Sequence, residues 1–330
     1  MAAIGTFEEL RARARKATAA VAVVAADSAS ALRAAAAAVR EGFARPVLVG
    51  DEDRVRAAID AAEAGDLRAA RVVHAPDADA AARAAVALAR AGEVDVLLKG
   101  GLRTDELLRA VLDRDTGLRA GRLLSDVLLY EDTLSGQRRL VGVTDGGITP
   151  APDMAQLKEI VANAVAVFHA LGWDRPRVAL LSATEAVTGA VPSTVTARAV
   201  ARWATDALPD ADVDGPLALD NALLATAAAA KGITGPVAGR ADIMVTPAIE
   251  AGNILGKSVK YLGGSITAHV VVGARAPILI PSRVESAEDK LHSIALGVLL
   301  RTGAARGAPS GGAEAGPPRP DPRDAGERND

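Results

Sequence analysis

Short apolar segments alternate with longer helical patterns through the first third of the chain. Residues 20–25, 45–50, 71–74 and 94–98 are apolar runs of strand length, and the segments between them are alanine-rich, with glycines such as Gly42 and Gly92 near their ends. Buried strands that alternate with helices of about 10 to 15 residues are typical of βαβ units in a parallel sheet. The pattern therefore predicts an α/β fold.

The pattern changes after residue 112. Residues 123–130 and 138–143 predict two strands that pair around a polar turn at 131–136. Glycines at 146 and 147 and prolines at 150 and 152 then indicate a domain boundary. Beyond it we predict, among others, a helix over 217–230, a strand over 277–280 and a closing helix over 286–301. Residues 303–330 lack Phe, Ile, Leu and Val and are expected to be a disordered tail.

Composition narrows the class of protein. The chain has 330 residues, which suggests roughly two domains at ~150 residues each. A net charge of -3 and an aromatic content of 2% argue against nucleic acid as the main partner. The absence of cysteine removes disulfides and thiolate metal sites, and the four histidines show no ligand spacing, so no metal site is predicted. Neither a signal peptide nor a membrane span is indicated, so we expect a cytoplasmic protein.

The strand over 277–280 is followed directly by polar side chains that could take part in binding or catalysis. Ser282 and Arg283 come directly after it, and Ser286 and Asp289 have the spacing of a helix capping box, with Asp in the place of Glu or Gln. Ligands of open α/β sheets bind outside the carboxyl ends of strands. A hydroxyl, a guanidinium and a carboxylate are thus expected at the edge of the sheet where such folds bind their ligands. The alternative is an ordinary helix cap beside a solvated arginine.

A second candidate site follows the strand over 94–98. Lys99, Gly100 and Gly101 lead into a helix that begins near Thr104, and Arg109 adds a further positive charge. Glycines let a backbone approach a ligand closely, and a helix N-terminus offers free N–H groups to an anion. The segment predicts an anion site. It is neither a Walker loop nor a Gly-x-Gly-x-x-Gly loop, and an ordinary strand-to-helix turn is the alternative.

A third candidate lies within residues 242–261. Asn253 and Lys257 are four residues apart and therefore share one face of a predicted helix. They could bind a substrate, or the helix could simply be a capped amphipathic one. By contrast, we expect His169 and His269 to be packed or exposed rather than catalytic.

Five blocks of residues in order resemble a known family. Lys-Gly-Gly-x-x-Thr at 99–104 and Pro-Ser-Arg-x-x-Ser-…-Asp-Lys at 281–290 flank three further blocks at 117–125, 215–222 and 241–257. Together they resemble the phosphate acetyltransferase and phosphate butyryltransferase family, and most closely its butyryltransferase branch. The resemblance covers about residues 15 to 301.

The resemblance implies a fold, an assembly and a reaction. The implied fold is a two-domain, three-layer α/β structure like that of isocitrate and isopropylmalate dehydrogenases, with residues 1–147 and 281–302 in one domain and 148–280 in the other. The active site would lie in the cleft between the domains of each subunit of a homodimer. Acyl-CoA and inorganic phosphate would be converted reversibly into acyl phosphate and CoA, with CoA as a substrate and with neither a cofactor nor a metal.

The resemblance also implies roles for the C-terminal residues. Ser282 would donate to the tetrahedral oxyanion, Arg283 would hold phosphate, and Asp289 would be the base, with Glu288 as the substitute candidate. A CoA thiol near pKa ~8.5 and a carboxylate near ~3.9 differ by roughly 4.6 units, or about 6 kcal/mol for complete transfer. We therefore predict that Asp289 has a raised pKa, or that it accepts the proton only as the sulfur attacks.

Further anion contacts are implied for Lys99, Arg109 and the Gly100-Gly101 turn. The acyl-transfer hypothesis requires Ser282 and Lys99 to face one pocket between the two lobes. Two other hypotheses stay open from the sequence. One is a metal-dependent hydroxy-acid dehydrogenase on the same fold, and the other is a non-catalytic CoA-binding protein.

Overall fold

The computed structural model describes residues 2–133 and 138–304, and its strands form one mixed sheet of eleven. The order across the sheet is β3-β2-β1-β4-β11-β10-β5-β6-β9-β7-β8. The strands are β1 Ala19–Val24, β2 Ala44–Gly50, β3 Arg71–His74, β4 Val96–Lys99, β5 Ser125–Asp132, β6 Arg139–Thr144, β7 Arg177–Leu181, β8 Asp212–Leu217, β9 Ile243–Val245, β10 Thr267–Val272 and β11 Ile278–Leu279.

Helices cover both faces of this sheet. They are α1 Phe7–Ala14, α2 Ala29–Arg40, α3 Glu52–Ala61, α4 Ala78–Arg90, α5 Thr104–Val111, α6 Met154–Ala170, α7 Pro192–Ala207, α8 Leu219–Leu223, α9 Ala225–Ala230, α10 Ile249–Lys257 and α11 Ala287–Ala304. A π-helical turn, Ser258–Leu262, continues α10. Among the described helices, none has the length and apolar character needed to cross a membrane. The predicted tail, 303–330, lies outside the described residues from residue 305 onward.

Strand direction divides the sheet into two halves. β1, β2, β3, β4 and β11 are parallel to one another, and β6, β7, β8 and β9 are parallel to one another. β10 pairs antiparallel with both β11 and β5, and β5 pairs antiparallel with β6. The predicted α/β class is therefore confirmed, and so is the predicted strand pair, seen as β5 and β6.

The two faces of the sheet are covered differently. Alternate residues of a strand point to opposite faces. On one face a single apolar cluster runs from Val21 in β1 to Val178 in β7, under α2, α6, α7 and α11. On the other face there are two clusters, one around Leu97 and Val271 and one around Leu128 and Val143. The second face therefore has an interruption in its apolar cover, between the two halves of the molecule.

Two features around residue 220 differ from the sequence prediction. The single helix predicted over 217–230 is two short helices, because Leu224 adopts an extended conformation between them. The carbonyls of Asn221 and Ala222 accept hydrogen bonds from the amides of Gly239 and Ala241, at 2.6 and 3.0 Å, instead of continuing a helix. Strand β8 was not predicted. It is the edge strand, where a proline such as Pro216 and several acidic residues are tolerated.

Candidate active site

The ends of β4 and β11 bring the two main candidate segments together. The two strands are parallel neighbours, with Leu98 opposite Leu279, so both end at the same edge of the sheet. Lys99 is the last residue of β4, and Ser282 and Arg283 follow β11 after Pro281. Lys99 is only 3% exposed, whereas Ser282 and Arg283 are exposed. A buried ammonium and an exposed guanidinium therefore share one corner of the fold.

The two cations act on each other electrostatically. Burial, together with the positive charges of Arg283 and Lys290, lowers the pKa of Lys99 to about 8. Its Nζ donates one long hydrogen bond, 3.4 Å, to the carbonyl of Leu102. An amine with so little local compensation is suited to bind an anion, because an anion would restore its charge balance.

The turn that carries Ser282 and Arg283 is held from beneath by a buried lysine. Lys290 in α11 is 2% exposed, and its Nζ donates to the carbonyls of Ser282 and Glu285, at 2.9 and 2.7 Å. The amide of Glu285 also donates to the carbonyl of Ser282, at 3.2 Å. The ammonium therefore fixes both ends of the 282–285 turn.

Asp289 forms the predicted capping box with Ser286. Its amide donates to Ser286 Oγ at 3.1 Å, and its Oδ2 accepts from the Ser286 amide and hydroxyl at 3.0 and 2.5 Å. Its Oδ1 accepts from Lys260 Nζ at 2.5 Å and from the amide and hydroxyl of Thr267 at 2.9 and 3.3 Å.

These contacts decide the acid–base state of Asp289. Burial alone would raise the pKa of its carboxyl, but the hydrogen bonds from Lys260, Ser286 and Thr267 stabilise the carboxylate and lower the pKa below its ordinary value. The prediction of a raised pKa at Asp289 is therefore wrong. The side chain is completely buried as well.

Glu288, the substitute candidate for the base, lies on the other side of α11. It is exposed, and it lines a surface cavity of about 630 Å³ together with Arg11, Arg33 and Glu41. Those residues belong to the helices that cover the opposite face from Lys99 or lie beside them. The structure therefore does not bring Glu288 to the 282–285 turn.

The glycines after Lys99 have a structural reason different from the predicted one. The amides of Gly100 and Gly101 donate to the carbonyls of Val24 and Ala25, each at 2.8 Å, so neither is free for an anion. A Cβ on Gly100 would lie 2.2 Å from the Ala25 carbonyl oxygen, and one on Gly101 would lie 1.8 Å from Asp27 Oδ1. The close approach of the Val24 and Ala25 backbone therefore requires glycine at position 100, whereas at position 101 the conflict is with the side chain of Asp27.

The remaining predicted binding residues are more exposed. Thr104 is the half-buried first residue of α5, and Arg109 in α5 is exposed, with its guanidinium 3.5 Å from Asp105 Oδ2. Asn253 and Lys257 in α10 are exposed, and Asn253 Nδ2 donates to the carbonyl of Gly146 at 3.1 Å. Asn253 is thereby fixed to the turn that follows β6.

Sequence reasoning missed a group of polar side chains on the interrupted face of the sheet. His269 in β10 lies diagonally from Asp126 in β5, and its Nδ1 is 3.4 Å from Asp126 Oδ2. Its Nε2 is 3.4 Å from Glu285 Oε1. Burial opposes a charge on this imidazole, but the two carboxylates outweigh it and raise the pKa of His269 to about 10. The available signal was an ionisable residue next to the apolar core of each of two strands, Asp126 beside 127–129 and His269 beside 270–272.

Asp145 completes this polar group beyond the end of β6. Its carboxylate accepts from the amides of Gly147, Ile148 and Thr149, at 2.9, 3.0 and 3.0 Å. Burial and the neighbouring Asp126 raise its pKa to about 6, against the effect of those amides. In the described part of the chain, no three or more His, Asp and Glu side chains are arranged to hold a metal ion.

The fold that carries this polar corner has counterparts among solved structures. The structure resembles the crystal structure of a branched-chain phosphotransacylase from Enterococcus faecalis V583, with a TM-score of 0.74 and 31% identity over 86% of this chain and 99% of that one. It also shares its fold with a 4-hydroxythreonine-4-phosphate dehydrogenase from Burkholderia phymatum, with a TM-score of 0.52 and 17% identity over 86% and 98%.

Sequence comparison identifies the family. The profile of the phosphate acetyl/butaryl transferase family matches residues 66–298. A probable phosphate butyryltransferase from Bacillus subtilis (strain 168) is 40% identical over 279 residues, which are 84% of this chain and 92% of the relative. The chain therefore belongs to the phosphate acetyl/butaryl transferase family, as its five motif blocks predicted. Its homology to these proteins makes it an acyltransferase.

Proposed function

We propose that this protein transfers a short-chain acyl group reversibly between CoA and inorganic phosphate, in the cleft on the interrupted face of the sheet. Family membership supports the reaction class. The observation that carries the site is the meeting of Lys99 and Arg283 at the ends of two adjacent parallel strands, with Ser282 between Arg283 and the sheet. Two cations beside a hydroxyl suit a substrate with a phosphate next to a carbonyl.

Each of the three groups has a role that its chemistry favours. Arg283 presents a planar fork of N–H donors and holds phosphate oxygens bidentately. Lys99 supplies a second positive charge from a buried position, where it is worth more than at the surface. The Ser282 hydroxyl donates to the oxyanion that forms when the acyl carbon becomes tetrahedral.

Several predicted contacts stay predictions at this stage. Thr104 and Arg109 in α5, and Asn253 and Lys257 in α10, are proposed to bind the substrate. Asp289 as the base requires transfer only as the sulfur attacks, because its pKa is lowered. Cytoplasmic localisation is likewise a prediction from the sequence.

The test is release of free CoA thiol from acyl-CoA in the presence and absence of inorganic phosphate. Acetyl-, propionyl-, butyryl- and branched acyl-CoA should be compared, because the names of the relatives include acetyl, butyryl and branched-chain transfer. We expect phosphate-dependent release with at least one of them. Release that does not depend on phosphate, or none at all, would contradict the proposal and favour a CoA-binding protein or another chemistry.

We also propose that the protein is a homodimer. Four large apolar side chains are exposed along the end of α10 and the segment after it: Ile254 at 66%, Tyr261 at 57%, Leu262 at 87% and Ile266 at 39%. Several large exposed apolar side chains within one segment are a feature of protein interfaces. A second copy of the chain is the partner that the family resemblance implies.

A further inference from the structure

Acyl transfer to CoA needs a proton acceptor, and the segment from residue 282 to residue 289 offers three carboxylates for that task. The oxygens of Asp289 are used by five hydrogen bonds, and Glu288 faces away from the 282–285 turn. Glu285 is within that turn, two residues after Arg283. Its position follows from the turn itself and requires no movement of the chain.

Glu285 is buried and incompletely paired. The residue is 7% exposed, and one carboxylate oxygen, Oε1, is 3.4 Å from His269 Nε2. The other oxygen, Oε2, is buried and has no hydrogen-bond partner among residues 2–133 and 138–304. A buried acceptor without a partner is costly, and a charged one more so, which points to a donor that arrives with a ligand.

The imidazole of His269 fixes the direction of this carboxylate. Its two nitrogens face Glu285 and Asp126, each at 3.4 Å, so both nitrogens donate when the ring is an imidazolium. The backbone of His269 is held as well, because its amide donates to Ser293 Oγ at 2.9 Å. Glu285 is therefore positioned by the central strands of the sheet at its side chain and by Lys290 at its main chain.

We propose that Glu285 is the general base that accepts the proton of the CoA thiol, with His269 as the residue that positions it. This inference rests on the proposed acyltransferase function. The thiol proton moves to Glu285 as the sulfur–carbon bond forms and the carbonyl π electrons move to oxygen. The carbonyl then re-forms, the carbon–oxygen bond to phosphate breaks, and Glu285 returns the proton to the departing phosphate oxygen.

The charged groups near Glu285 influence this proton transfer. Positive charges near an attacking thiol favour its thiolate, which reduces the energy that the base must supply. Glu285 interacts electrostatically with Lys99 in β4, His269 in β10 and Lys290 in α11. Asp126 in β5 faces the other nitrogen of His269, and Arg283 lies two residues before Glu285 in the turn.

The experiment is the pH dependence of CoA consumption with acyl phosphate for the wild-type protein and three matched amide variants. These are Glu285→Gln, Asp289→Asn and Glu288→Gln. Loss of a general base lowers the rate by on the order of 10² to 10⁴ near pH 7. Without a base only the thiolate reacts, so the rate of Glu285→Gln should rise about tenfold per pH unit until the thiol ionises near ~8.5. The deficit relative to wild type should shrink accordingly.

The outcomes are distinct. Glu288→Gln should keep the wild-type rate and profile. A Glu285→Gln deficit below about threefold, or one that stays constant across the pH range, would overturn the inference, and a shrinking deficit in Asp289→Asn instead would return the role to Asp289. If wild-type protein shows no phosphate-dependent acyl transfer, the proposed function fails before the base is tested.

A second variant covers the case in which Glu285→Gln does not fold, judged by a thermal melt. Glu285→Ala leaves space where the carboxylate was, and added formate should restore its rate in a concentration-dependent way. Formate should leave a Glu288→Ala variant unchanged. Lack of rescue in a folded Glu285→Ala protein would count against Glu285 as the proton acceptor.

Discussion

At the scale of single residues, burial decides how the charged side chains of this protein behave. Lys99 and His292 are nearly inaccessible, and both have a lowered pKa because an ammonium or imidazolium loses its hydration there. His269 is also enclosed, yet two carboxylates reverse the effect. The neighbours of a buried group, rather than its residue type, therefore determine its charge.

The charge of Lys99 should be visible in phosphate binding. With a pKa of about 8, Lys99 is mostly protonated at pH 7 and neutral at pH 9.5. We expect the KM for phosphate to rise roughly tenfold per pH unit above about pH 8. In Lys99→Arg the guanidinium stays charged, so the same titration should be flat between pH 7.5 and 9.5. Parallel profiles for the two proteins would show that Lys99 does not hold the phosphate.

His292 should make the fold sensitive to acid. It stacks on Phe7, with ring centroids 4.5 Å apart, and its Nδ1 lacks a partner within the described residues. Burial and the charge of Arg11 lower its pKa from 6.5 to about 4. Between pH 6.5 and about pH 4, His292 is protonated in the unfolded chain but neutral in the folded chain. The free energy of unfolding therefore falls as the pH falls. The loss approaches about 3 kcal/mol at pH 4.

The measurement compares urea unfolding of the wild type and His292→Phe from pH 7.5 to pH 4. Asp145 has the opposite effect on stability, because its pKa is raised to about 6 in the folded chain. Its protonation as the pH falls therefore favours the folded chain. Asp145 is present in both proteins, so the difference between the two curves isolates His292. We expect the free energy of unfolding of His292→Phe to increase relative to that of the wild type as the pH falls. Curves that remain parallel would contradict this account.

At the scale of elements, buried ion pairs join strands that are distant in the sequence. Asp242 precedes β9 and is fully buried. Its Oδ1 accepts from Arg139 in β6 at 2.7 Å and from Arg177 in β7 at 2.8 Å, and its Oδ2 accepts from the Arg177 side chain and amide at 2.8 and 2.9 Å. One carboxylate therefore connects three adjacent strands of the second half of the sheet.

Removing that carboxylate should weaken the second half of the molecule. Asp242→Asn removes the carboxylate that pairs with Arg177 and leaves Arg139 with the more distant Asp132, 3.7 Å away. Breaking a buried pair in this way costs about 3 to 5 kcal/mol. Asp212→Asn is the matched control, because Asp212 pairs at 2.8 Å with Arg175, whose side chain is 57% exposed. An exposed pair contributes about 0 to 1 kcal/mol. Equal losses in guanidinium unfolding for the two variants would show that Asp242 has no special structural role.

At the scale of the whole molecule, the two faces of the sheet differ at the candidate site. The apolar cluster on one face is continuous, so it joins the two halves of the sheet. The other face has two separate clusters, and the polar group of Asp126, Asp145 and His269 lies between them. A polar seam on only one face gives one place where a charged substrate can approach the central strands.

The proposed homodimer is tested at this scale as well. Leu262→Asp places a charge at the most exposed apolar residue of the segment, so we expect the variant to be a monomer at micromolar concentration by light scattering. Val187→Asp is the control, since Val187 is 49% exposed in the loop after β7. Wild-type protein that is already monomeric, or a dimer that persists in Leu262→Asp, would contradict the proposed interface.

Local patterns in the sequence were sufficient for much of this description. The βα alternation predicted the α/β fold, and the spacing of Ser286 and Asp289 predicted the cap of α11, because such features depend on neighbours within a few residues. The motif blocks predicted the family. Edge strand β8 and the break at Leu224 were missed, since tertiary hydrogen bonds there override local propensity.

The sequence by itself thus determined the family, the fold class and the residues that end β4 and β11. Only the tertiary structure decided which carboxylates are available, because that depends on contacts between separate elements. Asp289 accepts hydrogen bonds from Lys260 and Thr267. Glu285 contacts His269 of β10, which in turn contacts Asp126 of β5. No spacing along the chain reveals such pairs, since the register between antiparallel strands brings them together.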